Sequence, residues 1–564
     1  MDRHAPVYTE EASCQDCYKC LRACPVKAIQ VGSGHAQVRP EACISCGRCV
    51  SACPPKAKRV RDDLAEVRAL LQAGPVAASI APSWVAEFPD LQPGQLIAAL
   101  RRLGFACASE TALGARAVSA AVAELQRTQP QRLHLSTACP SAVDFMRKHR
   151  PALAPALTPL ASPALAHARM LKSAFGAATS VVLISPCVAK KRESDDHPDL
   201  LAAAITFADL RRWFDEAGIA PGTLAGEPGD CFVLGVAAEG ATYPVEGGML
   251  GAIRQHGGTG ELSAWSGITD LDLALAGLDP ATAAMFVETL ACPGGCVNGP
   301  GMTARDGLLR RRARVLAADA VGDGTPHPPV ESGMSWPAIP VDAVPAEATA
   351  LTAALARIGK RTAEDELNCA GCGYDSCRDF ANALCAGRSE PSQCVTWMRQ
   401  LAQRKANALL AAMPAGAVLV DERLRIVECN RNFALLTGAE ARFADGGLAG
   451  VLLADVAGFA RQFRHVLDGQ GDLLEHDLRS GTRVLHGSIF TVDPGRVVGA
   501  VLVDITAPAM SRAQVASRAR EAIEKHLETV QRIAYLLGEN AAETEGLLGQ
   551  IVDAYGGPDD ARGA

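Results

Sequence analysis

The feature that most constrains this chain is a duplicated cysteine pattern. Residues 14–25 read "CQDCYKCLRACP" and residues 43–54 read "CISCGRCVSACP". Each is C-x2-C-x2-C-x3-C-P. Three thiolates this close together wrap one face of a cubane iron–sulfur cluster, and the fourth cysteine, before the proline, serves the other cluster of the pair. The spacing assigns Cys14, Cys17, Cys20 and Cys53 to one [4Fe–4S] cluster, and Cys43, Cys46, Cys49 and Cys24 to a second. Zinc knuckles are the competing reading, but zinc sites usually show two separated C-x2-C pairs or a Cys/His mixture. A segment of this kind moves electrons and needs a partner site to feed.

The remainder is built to bury cores. At 564 residues the chain exceeds the reach of one core, and 48% hydrophobic with 21% charged residues is a globular composition. Twenty cysteines do not suit a disulfide framework in a chain whose start, "MDRHAPVYTE", lacks the apolar stretch of a signal peptide. No run nears the roughly 18 apolar residues of a membrane span. A net charge of -7 gives no electrostatic basis for nucleic-acid binding. The expectation is a cytoplasmic metalloprotein that engages neither nucleic acid nor membrane.

Texture divides the chain into segments. Residues 1–60 hold the ferredoxin-like repeat. From 75 to 320, apolar strands alternate with amphipathic helices, as in "QRLHLSTACP" and "TSVVLISPCVAKK", an α/β rhythm. Residues 321–361 are Pro-rich and read as a linker. In 362–400, Cys369, Cys372, Cys377 and Cys394 follow C-x2-C-x4-C-x16-C. This segment resembles a small cluster-binding domain of electron-transfer and corrinoid proteins, which implies a third accessory [4Fe–4S] cluster. Zinc on the same four thiolates is the other reading. Residues 407–507 begin with a helix and continue as short strands. The tail, 508–556, carries Ile523, Leu527, Val530, Ala534, Leu537, Ala541, Thr544, Leu548, Ile551 and Tyr555 at alternating spacings of four and three. That seam predicts a parallel dimeric coiled coil, hence a homodimer, with a helix folded back on its own domain as the alternative.

Three further loops each end a strand in cysteine. "STACP" carries Cys139, "SPCVAKKRESD" carries Cys187, and "ETLACPGGCVNGPG" carries Cys292 and Cys296. Four cysteines from three distant loops suit one closed cluster site. Gly294, Gly295, Gly299 and Gly301 would let the backbone approach a bulky inorganic group. With "SIAPSW" and "LRRLGF" before them, these loops resemble the catalytic domain of [FeFe]-hydrogenases. The resemblance implies an H-cluster, a [4Fe–4S] cubane joined through one cysteine to a di-iron unit with CO, cyanide and a bridging dithiolate. Cys139, Cys187, Cys292 and Cys296 would ligate the cubane, Cys296 would bridge, and Lys190 would bind a cyanide. Glu193 matches a proton-path glutamate, and Glu124 is a second match. Lys191 reads as a solvated neighbour. Ala138 stands where productive enzymes carry a proton-relaying cysteine, and Ser185 and Leu290 stand where they carry methionines.

"LLAAMPAGAVLVDERLRIVECNRNFALLTG" (409–438) and "RVVGAVLVDIT" (496–506) resemble the opening and close of a PAS domain, with Asn430 capping a helix. Its ligand stays open: His465, His476 and His486 are candidates, and an empty fold is another. The expected fold is multidomain α/β: a two-cluster ferredoxin-like domain, an α/β hydrogenase domain, a small iron–sulfur domain, an α+β PAS domain and a helical coiled coil. The resemblance implies a sensory [FeFe]-hydrogenase that binds or slowly turns over H2 and protons, exchanges electrons with a partner such as ferredoxin, and signals to a kinase or phosphatase. Two other readings remain: a productive hydrogenase with PAS as dimeriser, and a non-enzymatic iron–sulfur redox sensor lacking the di-iron unit.

Overall fold

The computed structural model describes residues 4–506, except 33, 228, 236–237, 281–282, 305, 319–331 and 342–345, and then 521–525 and 527–528. The chain divides into two compact units, residues 1–393 and 394–564.

The first unit opens with the cysteine repeat. Strand β1 (Val7–Thr9), β2 (Ile29–Gly32), β3 (His35–Val38) and β4 (Lys58–Val60) form two small antiparallel pairs, β1 with β4 and β2 with β3. The short helices Lys19–Ala23 and Arg48–Ala52 pack on each other and carry Cys20 and Cys49. The duplication is also one of backbone. Asp16 and Ser45, Tyr18 and Gly47, Lys27 and Lys56 occupy matching places in the two copies, and all six have positive φ. Non-glycine residues avoid that region at a cost of roughly 1–2 kcal/mol each.

Two parallel sheets follow. Strands β5 (Val76–Ile80), β6 (Cys107–Glu110), β7 (His134–Leu135), β8 (Ser180–Ser185), β9 (Ala203–Thr206), β10 (Glu261–Ser266) and β11 (Met285–Leu290) are short and apolar. One sheet has the order β6-β5-β8-β9 and the other β10-β11-β7, with every pairing parallel. Parallel strands need helical crossovers, and these bury both sheet faces. The helices Ala112–Thr128 and Pro163–Phe175 approach most closely at Gly114, where a Cβ would collide with the Pro163 carbonyl oxygen and the His167 nitrogen.

The stretch read as a linker is more structured than its prolines suggest. Met334 N donates to Pro159 O (3.0 Å) and Trp336 Nε1 to Leu160 O (2.9 Å), so part of it is stitched to the central domain. Residues Ala348–Arg357 form a helix packed on the helix Cys377–Cys385. Alanine-rich spacing outweighs the neighbouring prolines there.

The second unit begins with the helix Val395–Ala412. Strands β12 (Gly416–Asp421), β13 (Ile426–Cys429), β14 (Leu473–Ser480), β15 (Arg483–Asp493) and β16 (Val497–Asp504) form one antiparallel sheet of order β13-β12-β16-β15-β14. Asn430 caps the helix Arg431–Thr437 by accepting from Phe433 N (2.9 Å), and also accepts from Ala417 N (2.9 Å). Phe433, Phe459 and Phe463 fill the core. Of the predicted tail seam, Val530 onward lies outside the described residues. The two described members face inward: Ile523 is buried, and Leu527 packs against the cluster of Met413, Ala417, Phe490 and Val501. No helix among the described residues is long and apolar enough to cross a membrane.

Gly114→Ala should lower stability by about 1–3 kcal/mol, because the added methyl meets backbone that cannot turn aside. Urea titration beside wild type measures it, and an unchanged midpoint would show that the two helices can separate freely.

Candidate metal centres

The central cysteines come together because of strand direction. Cys139 follows β7, Cys187 follows β8 and Cys292 follows β11, so all three loops leave carboxyl ends of parallel strands, where open α/β sheets form their crevices. Cys139, Cys187, Cys292 and Cys296 line a single cavity. Burial first, and then neighbouring thiolates, push Cys187 up to about 11. The same causes raise Cys292 and Cys296 further. Thiols so placed stay protonated by themselves, and a cationic iron centre supplies the charge that makes them thiolates. A set of four converging thiol donors fits a cubane.

A second cavity, of about 660 Å³, shares Pro186, Cys187, Leu290 and Cys296 with the first. Ala138 and Ser185 also line it, so all three departures from the hydrogenase pattern border one chamber. Lys190 reaches it from the helix Ala189–Asp196. Its ammonium donates to Ser162 Oγ at 3.0 Å and Glu193 Oε2 at 2.6 Å. An ammonium has three donors, which leaves one for the chamber. Ser83 lines the same wall, is fully buried, and its Oγ has no protein partner. An orphaned buried hydroxyl costs about 1–3 kcal/mol unless a bound group satisfies it. One ammonium and one spare hydroxyl in a chamber otherwise walled largely by alanine, proline and leucine suit a unit with anionic ligands.

Other chamber residues carry no signal in a cysteine pattern. Tyr243 OH bonds Ser119 Oγ at 2.8 Å, and Glu288 accepts from Gly247 N at 2.9 Å. Burial pushes the Glu288 carboxyl up to about 8. Serine at the mouth of β5 was visible in "SIAPSW", and its strand-end position is the clue that would have singled it out.

Two expectations need correction, and the loop glycines have a further role. Lys191 is not solvated: it is fully buried, and its ammonium reaches Asp63 (3.0 Å), Asp209 (3.1 Å) and Ala204 O (3.2 Å). Glu124 does not reach the chamber: it is exposed and paired with Arg127, because the inward stripe of its helix is Ser119, Val122 and Ala123. The loop glycines serve chain crowding first. A Cβ at Gly295 would strike Pro244 O, one at Gly299 would lie 2.6 Å from Pro186 O, and one at Gly301 would press on Thr206.

The accessory loops form a series within the first unit. Cys46 lines the four-cysteine cavity, and Lys148 Nζ, itself buried, donates to Cys43 O at 2.6 Å. The two repeat helices abut, which brings the first motif beside the second. Arg22 donates to Cys17 O at 2.9 Å and feels the charge of Cys372, while Gly373 packs on Leu21. The loop bearing Cys369, Cys372 and Cys377 thus lies beside the first motif. Cys394 is buried at the start of the helix Val395–Ala412 of the second unit.

Three regions of the chain match known protein families. Residues 74–263 match the family "Iron only hydrogenase large subunit, C-terminal domain", residues 6–54 match a 4Fe-4S dicluster domain, and residues 365–396 match an Fe–S cluster family. The periplasmic [Fe] hydrogenase large subunit of Nitratidesulfovibrio vulgaris is 29% identical over 379 residues, covering 55% of this chain and 89% of that protein. A [FeFe]-hydrogenase variant from Chlamydomonas reinhardtii aligns at 20% identity and a TM-score of 0.38, over 45% of this chain and 88% of its own. The PAS domain of Bordetella pertussis BvgS aligns at 18% identity and a TM-score of 0.16, over 22% of this chain and 96% of its own. This chain is an iron-only hydrogenase-like protein whose large-subunit domain is flanked by Fe–S domains.

Glu288 yields a pH test. Its folded value lies above the ordinary carboxylate range, so between pH 5 and 8 the folded state keeps a proton that the unfolded chain has lost. Stability therefore falls as pH rises through that window, by up to about 1.4 kcal/mol per pH unit. Glu288→Gln should remove this component, so the variant should gain stability relative to wild type from pH 5 to pH 8. Parallel gaps at both pH values would mean the carboxyl titrates normally.

Proposed function

We propose that this chain is a sensory [FeFe]-hydrogenase with an H-cluster in the paired cavities and a PAS-type output unit. The observation that carries the reading is the junction of the two cavities at Cys187 and Cys296, with Ala138 and Lys190 in the wall of the larger one. Cys139, Cys187, Cys292 and Cys296 would hold the cubane, and Cys296, shared by both spaces, would bridge to the di-iron unit. That unit, when bound, supplies the metal site at which H2 is split or formed.

The chain's own residues do the rest. Lys190, oriented by Ser162 and Glu193, offers its remaining N–H to an anionic ligand, and Ser83 offers a hydroxyl. A fixed donor in a dry chamber costs no reorganisation when charge changes there. Alanine at 138 carries no proton, so the shortest relay seen in productive enzymes is missing and turnover is slow. Electrons pass between the chamber and a partner such as ferredoxin by way of the Cys43/Cys46/Cys49/Cys24 cluster, the Cys14/Cys17/Cys20/Cys53 cluster and the cluster of Cys369, Cys372, Cys377 and Cys394. The antiparallel order β13-β12-β16-β15-β14 with a capped helix after β13 supports the PAS assignment. In this reading the protein works as a cytoplasmic homodimer that signals to a kinase or phosphatase.

Anaerobically matured protein should carry about 18 irons, four cubanes and a di-iron unit, and show infrared bands of metal-bound CO and cyanide. About 16 irons without such bands would leave an iron–sulfur redox sensor lacking the di-iron unit, and about 12 would leave the central domain without a cluster. Ala138→Cys should raise H2 evolution, with an upper range of about 10²–10⁴-fold for a restored relay. Wild-type rates that already match productive enzymes would remove the sensory reading.

A further inference from the structure

One line of polar side chains leads away from the larger cavity and is unused by the reading above. Thr111, just after β6, lines that cavity. Its Oγ1 lies 2.7 Å from Ser79 Oγ, and Ser79 Oγ lies 2.8 Å from His167 Nδ1. On the far side, His167 Nε2 lies 3.0 Å from Ser109 Oγ, and Ser109 donates to Val233 O at 2.8 Å. Ser79, Ser109 and His167 are fully buried and Thr111 nearly so. Gly114 makes the line possible, since only a glycine there lets the helix bearing His167 come so near.

The terminal carbonyl fixes the direction of every bond. A carbonyl only accepts, so Ser109 commits its single proton to Val233. His167 Nε2 must therefore be the donor to Ser109. Burial with no carboxylate beside it lowers the imidazole to about 3, so the ring is neutral and Nδ1 is a bare acceptor. Ser79 then donates to Nδ1, and its proton is also committed. Thr111 is left to donate its single proton to Ser79, and its two lone pairs are left to face the cavity.

We propose that His167 is a positioning residue that locks Thr111 as a hydrogen-bond acceptor in the cavity wall, where it receives an O–H or N–H donor. This adds to the donors Lys190 and Ser83 a wall group of opposite polarity. The bound-group part of the inference rests on the hydrogenase reading; the polarity of the line does not.

Two measurements test it. Nitrogen-15 NMR of the unloaded full chain should show His167 as the Nε2–H tautomer, with no titration from pH 5 to 8. An Nδ1–H tautomer, or a ring that protonates in that range, overturns the proposal. In matured protein, Thr111→Val should shift the CO and cyanide stretches, His167→Phe should shift them in the same sense, and Thr111→Ser should restore wild-type positions. Bands in Thr111→Val that coincide with wild type overturn the proposal even if His167→Phe fails to fold. An ordered water on Thr111 Oγ1 in a crystal structure of unloaded protein identifies water as the donor, whereas occupancy only after loading identifies the bound group. If wild type shows no CO or cyanide bands, the hydrogenase reading falls while the NMR result still decides the orientation of the line.

Discussion

Crowding thiols into dry space is the constraint on which this architecture rests. Four of them meet because β7, β8 and β11 run in the same sense and end at one crevice. Left alone, Cys187, Cys292 and Cys296 would be held protonated by burial and by their neighbours. The repeat loops show the same economy in backbone terms, since Asp16, Tyr18, Lys27, Ser45 and Lys56 all sit in the left-handed region. Such geometry costs less when something outside the polypeptide holds the loops closed, so a bound cluster adds to the stability of these loops.

That constraint also explains which parts were legible beforehand. Cluster ligands in a short loop are a matter of spacing along the chain, and a spacing is printed in the sequence. The three central loops were legible for a related reason: each sets a cysteine beside a proline at the end of an apolar strand, and strand direction then does the gathering. The PAS-like strands and the Asn430 cap are local patterns too, and Asn430 makes its cap as expected.

What escaped was everything decided by phase or by neighbours. Lys190 and Lys191 are adjacent on one short helix, yet one looks into the chamber and the other into a buried carboxylate pair. Glu124 and Ser119 share a helix, and a rotation of the helical phase puts one outside and the other against Tyr243. Ser83 and Ser162 are ordinary serines until a chamber forms beside them. The close chain-against-chain contacts at Gly295, Gly299 and Gly301 depend on neighbours that no local pattern names. Local composition misjudged 321–361 because a docked stretch and a helix can be written in proline- and alanine-rich letters.

The buried ion pairs around Lys191 have a consequence for ancestry and for engineering. Asp63 grips Lys191, and Arg61 grips both Asp63 and Asp195, so the residues just past the ferredoxin-like repeat brace the helix that aims Lys190. Stranding a charge in such a setting costs about 3–5 kcal/mol. The electron-carrying segment is therefore no detachable cartridge. A graft that swaps it for another domain keeps these ion pairs when the suture falls between Val60 and Arg61, whereas a splice three residues later removes Arg61 and Asp63 and leaves the helix that carries Lys190 slack.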